Sequence, residues 1–270
     1  MARTPRLAAG RARALGLPTR GTTNPNRLRR VDRWLTGNRT VLAALRAEPS
    51  PLVVDLGYGS SPVTTVELAD RLGKIQPAAR FLGLELDAER VAAAKSSARP
   101  PWLDFRRGGF ELAGARPMLL RAFNVLRQYS EEDGARAWAT MRDRLAPGGL
   151  LVEGTCDELG RRCAWVLLDQ SGPKEFTISC RPDDLDQPSD VAERLPKCLI
   201  HRNTPGERVH ELLSALDTCW AHAANQLPYG PRARWVEAVR LLAERGWPVL
   251  GDRRRWRLGE LTVSWSSVAP

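Results

Sequence analysis

The sequence predicts an α/β fold: a doubly wound, mostly parallel seven-stranded sheet with an antiparallel C-terminal hairpin, plus an N-terminal basic arm and a helical C-terminal appendage. Three observations carry this prediction. Strand and helix patterns alternate from Leu52 to Glu153. The first strand ends in a Gly-rich turn that feeds a helix. Two apolar runs then flank Gln170-Ser171-Gly172-Pro173, the pattern of a hairpin. Alternation followed by a hairpin gives a mostly parallel sheet with helices on both faces.

Leu52 to Leu56 is apolar and β-branched except for Asp55, as in a strand covered on both faces. Gly57 and Gly59 let the chain turn tightly and let a ligand lie against it. Pro62 suits the first position of a helix from Val63 to Leu72, and Ser60 or Ser61 can cap its free amides. Such a turn offers N–H groups to a polar or anionic ligand. Arg80 to Asp87 reads as the next strand with Glu85 near its end, and Asp87 caps a helix from Ala88 to Ser97. In a strand–helix–strand unit, a carboxylate at Glu85 stands beside the turn and can accept hydrogen bonds from both ribose hydroxyls. Leu103 to Arg107 is a third strand, Met118 to Val125 a fourth, and Ser130-Glu131-Glu132-Asp133 opens a helix that Ala146-Pro147-Gly148-Gly149 stops. Leu150 to Glu153 is a fifth strand; Cys163 to Leu168 and Lys174 to Cys180 form the hairpin.

The nicotinamide-dinucleotide fingerprint wants a third Gly where this chain has Pro62. Asp55-Leu56-Gly57-Tyr58-Gly59, followed by Gly83-Leu84-Glu85, instead resembles the class I S-adenosylmethionine-dependent methyltransferases, over roughly residues 51–180. The turn before the fifth strand, Leu145 to Leu150, is similar as well. The resemblance implies S-adenosyl-L-methionine as cofactor, its methionine part on the turn and its ribose on Glu85. It implies Asp55, Gly57, Tyr58, Gly59, Glu85, Leu86, Phe110 and Asn124 as cofactor-binding residues, and Asn124 as the catalytic residue. The chain departs from the family at two points. Ser61 replaces the common third Gly of the loop, and Gly108-Gly109-Phe110-Glu111 stands where an Asp often meets the adenine amine. Phe110 either packs on the adenine ring or enters the core.

Methyl transfer from a sulfonium is an in-line displacement, so the protein chiefly aligns acceptor, methyl carbon and sulfur. Asn124 ends the fourth strand, where the family often places polar residues near the substrate, but Phe123-Asn124-Val125-Leu126 is not the motif of exocyclic amine methylation. Tyr129 is a weaker candidate of the same kind. Cys156, after the fifth strand, reads as a small buried residue rather than a nucleophile.

The chain of 270 residues carries a formal charge of +10. Residues 1–33 hold Arg3, Arg6, Arg11, Arg13, Arg20, Arg27, Arg29, Arg30 and Arg33 against Asp32 alone, and Arg253-Arg254-Arg255-Trp256-Arg257 forms a second cluster. Basic arms and patches favour phosphate backbones through counterion release, so RNA is the favoured acceptor. The expected organisation is a flexible basic arm over 1–25, a cofactor-binding domain over 26–180 and the appendage over 181–270. Asn26 is the expected cap of a helix carrying Leu28, Val31 and Leu35 on one side. Helices from Glu207 to Ala224 and Arg232 to Arg245 and a strand from Leu261 to Trp265 are expected in the appendage. Five scattered cysteines without a C-x-x-C, no apolar signal core and no membrane-length apolar stretch fit a reduced, cytoplasmic, metal-free protein. The sequence does not set the oligomeric state or the acceptor atom. Three other readings stay open: a methyltransferase acting on a small molecule or a protein, an NAD(P)-dependent oxidoreductase, and a non-catalytic nucleic-acid-binding protein.

Overall fold

The computed structural model describes residues 23–270. The arm expected over 1–25 therefore falls almost wholly outside the described residues. Among the described residues two helices precede the sheet: α1, Arg29–Leu35, and α2, Arg39–Arg46. Each buries a short apolar set, Val31, Trp34 and Leu35 in α1 and Val41 and Leu45 in α2. Asn38 caps α2 by accepting from the Val41 amide at 3.0 Å. Asn26 does not cap α1. Leu28 occupies the cap position without a side-chain bond, and Asn26 adopts a left-handed φ of 62°. Its amide is already taken up by Glu67, at 2.8 and 3.0 Å, and its Oδ1 accepts from Arg71 at 2.7 Å.

The apolar run becomes β1, Leu52–Leu56, with Val53, Val54, Asp55 and Leu56 all buried. α3, Val63–Gly73, leads to β2, Arg80–Glu85; α4, Ala88–Ala94, leads to β3, Leu103–Arg107. Then come β4, Leu119–Phe123, α5, Glu131–Asp143, and β5, Leu150–Cys156. β1 pairs in parallel with both β2 and β4, and β2 in parallel with β3. A strand with parallel neighbours on both sides is covered on both faces, which is why β1 tolerates only one charged residue. Asp87 caps α4 as the sequence predicts, Oδ1 accepting from Glu89 and Arg90. Pro62 stands at the cap of α3 rather than at its first turn position.

β6, Arg162–Asp169, and β7, Gly172–Cys180, form the antiparallel hairpin. After them come α6, Lys197–Ile200, α7, Arg208–His222, α8, Pro231–Glu244, β8, Val249–Leu250, α9, Arg253–Trp256, and β9, Glu260–Ser264. Among the described residues the strands number nine rather than seven, because β9 pairs antiparallel with β7 and β8 with β9. Residues 181–270 thus carry the strand expected at Leu261 to Trp265, here β9, and the short β8 besides.

The chain forms two compact units, one holding the described residues to Val125 with Ala135–Leu151, the other Leu126–Gly134 with Val152–Pro270. Within the second unit β7 and β9 share a ladder. In the first unit the strand order is β3-β2-β1-β4, reaching the start of β5; in the second it runs from β5 through β6-β7-β9-β8.

Candidate functional site

In the first unit the end of β1 turns sharply at Gly57 and Gly59, with φ of 72° and 81°. These are left-handed conformations that a side chain would strain. The Gly57 amide donates to the Leu84 carbonyl at 2.7 Å, which draws the turn against β2. The Gly59 amide donates to Glu85 Oε2 at 3.0 Å. Glu85 Oε1 accepts from the Leu86 amide at 2.9 Å and from the Asp87 amide at 3.3 Å. Arg90 lies 3.9 Å from Oε2. A carboxylate held by backbone amides is fixed in place, and its two oxygens have about four lone-pair sites in all to share. Leu86 contributes its backbone: its carbonyl accepts from Arg107 Nε at 2.9 Å.

Asp55 is engaged by the protein itself. Arg121 donates Nε to its Oδ1 at 2.8 Å and Nη2 to its Oδ2 at 2.7 Å, and Thr65 Oγ1 donates to Oδ2 at 2.7 Å. The parallel register places Asp55 opposite Arg121. A buried acid needs a counter-charge, and Arg121 supplies it. Asp55 therefore reaches the turn through Arg121 and Thr65, not as a bare carboxylate beside the turn. Arg121 also donates to Asp32 of α1 and to the Thr64 carbonyl. Burial pushes the Asp32 carboxyl up, against the pull of Arg121 and Arg71. The sequence reading missed Arg121 and Asp32, because nothing in the chain marks two residues so far apart as partners.

Tyr58 is 4% exposed, its ring edge-on to Phe105 with centroids 5.4 Å apart. Its buried hydroxyl has no hydrogen-bond partner among the described residues. Burial, then the charges of Glu85 and Asp55, raises its phenol well above the ordinary range. Phe110 is 4% exposed and counts with the core. Beside it, Glu111 Oε1 accepts from the Gly109 amide at 2.8 Å, while its buried Oε2 has no hydrogen-bond partner among the described residues. Glu111 precedes a left-handed pair, Leu112 and Ala113, with φ of 56° and 51°. The Gly108 amide donates to the Glu85 carbonyl at 3.1 Å, so this loop begins beside β2. Glu111 was visible in the sequence, but its orphaned oxygen was not.

Asn124 follows β4 in a left-handed conformation, φ 59°, which Asn tolerates better than most residues. In the second unit Tyr129 and Cys156 are buried. Arg255 pairs with buried Glu260 at 2.7 Å, so the basic cluster presents Arg253, Arg254 and Arg257 as its exposed members. His201 meets Lys197, His210 meets Asn203 and His222 meets Arg245, three separate arrangements. Among the described residues no group of three or more His, Cys, Asp or Glu is arranged for a metal ion, and no helix is long and apolar enough to cross a membrane.

The site residues of the first unit gather a close-approach bend, a fixed carboxylate and two buried oxygens. The Gly57–Gly59 bend admits close approach, Glu85 is fixed beside it by backbone amides, and Tyr58 Oη and Glu111 Oε2 are buried polar atoms without a hydrogen-bond partner among the described residues. No protein-family model and no curated protein matches the chain. Among solved structures, human N-acetylserotonin methyltransferase in complex with SAM is 23% identical, at a TM-score of 0.34, over 47% of this chain and 36% of that one. Magnesium protoporphyrin IX methyltransferase from Synechocystis PCC 6803 with bound SAM is 18% identical, at 0.34, over 48% and 60%. The CcbJ methyltransferase from Streptomyces caelestis is 16% identical, at 0.35, over 59% and 68%. The chain thus spans less than two thirds of the length of the first two. It is similar, over about half of its residues, to methyltransferases solved with S-adenosylmethionine bound.

Proposed function

We propose that this chain is an S-adenosylmethionine-dependent methyltransferase, with RNA as the acceptor. The observation that carries the donor half is Glu85, clasped by the amides of Gly59, Leu86 and Asp87 at the foot of a bend with two glycines. A carboxylate fixed there is an acceptor for vicinal hydroxyls, the chemistry of a ribose. S-adenosylmethionine held there would supply an activated methyl group for in-line transfer. The residues do the aligning: Glu85 orients the sugar, the Gly57–Gly59 bend lets the methionine part lie close to the backbone, and Asp55 stiffens the bend through Arg121 and Thr65. Tyr58 Oη is available to a polar atom of the ligand, and Glu111 Oε2 to a donor such as an amine. We assign Asn124, at the end of β4, to the acceptor side, where its amide both donates and accepts.

The acceptor reading is supported by charge: the arginines of residues 1–33 and the exposed Arg253, Arg254 and Arg257. Calorimetry with S-adenosylhomocysteine and with NADH tests the donor. Binding of the first alone is expected; binding of NADH alone, or of neither, overturns the reading. For the acceptor, affinity for RNA should fall steeply with salt, and replacing Arg253, Arg254 and Arg257 with Ser should flatten that slope by up to about 3. RNA binding that ignores salt, or none at all, returns the acceptor to small molecules or proteins.

A further inference from the structure

The bend at Gly57–Gly59 is held at both ends by one guanidinium. Arg121 grips Asp55 before the bend with two hydrogen bonds and the Thr64 carbonyl after it at 2.9 Å. The same guanidinium donates to Asp32 of α1, and Asp32 also accepts from Arg71 of α3. Asp32 and Arg121 are wholly buried and Asp55 is 3% exposed, so no water substitutes for these partners. A further tie closes the circuit: Thr23 Oγ1, just before α1, donates to the Tyr58 carbonyl within the bend at 2.8 Å.

α1 depends on these ties. It is seven residues long and has no side-chain cap. A helix that short does not form on its own in water, so packing and charge must hold it. Resting on the reading above that this bend binds the cofactor, we infer that Arg121 and Asp32 are positioning residues, which latch α1 to the bend so that ordering either one orders the other. Any ligand that stiffens the bend then stiffens α1, and by linkage loosening α1 weakens the ligand by the same factor. Both residues are wholly buried and act on the bend through Asp55 and Thr64.

The test uses the full chain as wild type, Asp32→Asn and Thr23→Val. Asp32→Asn keeps an acceptor for Arg121 but removes the charge; Thr23→Val removes only the Thr23–Tyr58 tie. Hydrogen exchange is read on peptides covering 23–35, 52–62 and 119–123. Without ligand, exchange of 52–62 should rise about tenfold in Asp32→Asn while 119–123 stays protected, and Thr23→Val should raise it at Tyr58 and Gly59 alone. A general loss of stability would instead raise exchange in all three peptides alike. Unchanged exchange over 52–62 in both variants overturns the latch, as does a uniform rise. If Asp32→Asn fails to fold, the Thr23→Val result decides. With S-adenosylhomocysteine, the wild type should gain protection over 23–35; Asp32→Asn should lose that gain and bind about tenfold more weakly. An equal gain in both proteins overturns the inference. Failure of the wild type to bind S-adenosylhomocysteine overturns the methyltransferase reading instead, and the ligand-free comparison still decides whether α1 and the bend are coupled.

Discussion

Gly59 donates its backbone amide to Glu85 Oε2 at 3.0 Å, joining the bend after β1 to the end of β2. Glu85 is 1% exposed, so this bond and the two to Oε1 are protected from water. Replacing Glu85 with Ala removes a charged acceptor, whose bonds are each worth about 1.5–3 kcal/mol, or roughly a 10- to 100-fold loss of affinity per ligand bond. Calorimetric titration with S-adenosylhomocysteine should show that loss. Glu85→Gln should fall between Ala and wild type, since it keeps an acceptor without the charge. Affinity equal to wild type in both variants would remove Glu85 from the site.

The raised phenol of Tyr58 has a consequence at high pH. The folded state keeps this proton where an unfolded chain releases it, near pH ~10. The stabilising contribution is therefore full below that value and is lost as pH rises through it toward the folded value. Thermal melts of wild type should lose stability more steeply above pH ~10 than those of Tyr58→Phe, by at most about 1.4 kcal/mol per pH unit for one proton. Parallel curves would show that the hydroxyl titrates normally. At neutral pH Tyr58→Phe should melt at or above wild type, because it deletes a buried donor that lacks a partner.

Gly83 in β2 has no room for a side chain. A Cβ there would meet Phe105 Cδ1 at 2.5 Å and Cε1 at 2.8 Å, and Thr65 Cγ2 at 3.2 Å. Overpacking of this kind costs about 1–3 kcal/mol. Urea denaturation of Gly83→Ala should register that cost, and Phe105→Leu in the same chain should relieve part of it. A neutral Gly83→Ala would mean that the Phe105 ring moves freely.

Arg121→Met leaves two buried carboxylates, Asp32 and Asp55, facing each other without the guanidinium between them. Breaking a buried pair in this way costs about 3–5 kcal/mol. Arg121→Lys should not restore it, because an ammonium lacks the planar fork that spans Asp55 Oδ1 and Oδ2. The triple replacement Asp32→Leu, Asp55→Leu, Arg121→Met should recover stability while the affinity for S-adenosylhomocysteine stays reduced. Denaturation midpoints check all three variants, and a triple variant as unstable as Arg121→Met would refute the charge argument.

Most of the first unit was legible from local chemistry. Leu52 to Leu56 announces a covered strand, Gly57 and Gly59 a bend, and Asp87 a cap, each within a few residues of the element it specifies. Glu85 was legible for the same reason: its place follows from the strand that carries it. What escaped depends on partners distant in the chain. α2 buries only Val41 and Leu45, too few to mark a periodic face. β8 is two residues long and is defined only by its pairing with β9. Arg121 reads as an interruption in an apolar run until Asp55 and Asp32 are brought to it. Asn26 looked like a cap because Asn favours that place, but Glu67 and Arg71 take its polar groups.

The two-residue strand β8 has a bearing on how the protein behaves in concentrated solution. It ends the strand order after β9, and Pro248 and Gly251 flank it. A stray polypeptide seeking a ladder to extend finds only two rungs there, and one approach is blocked by a residue without an amide hydrogen. In the first unit β3 ends the strand order and carries Asp104, Arg106 and Arg107, whose charges disfavour a flat apolar newcomer. Each of these two edge strands is thereby a poor template for aggregation.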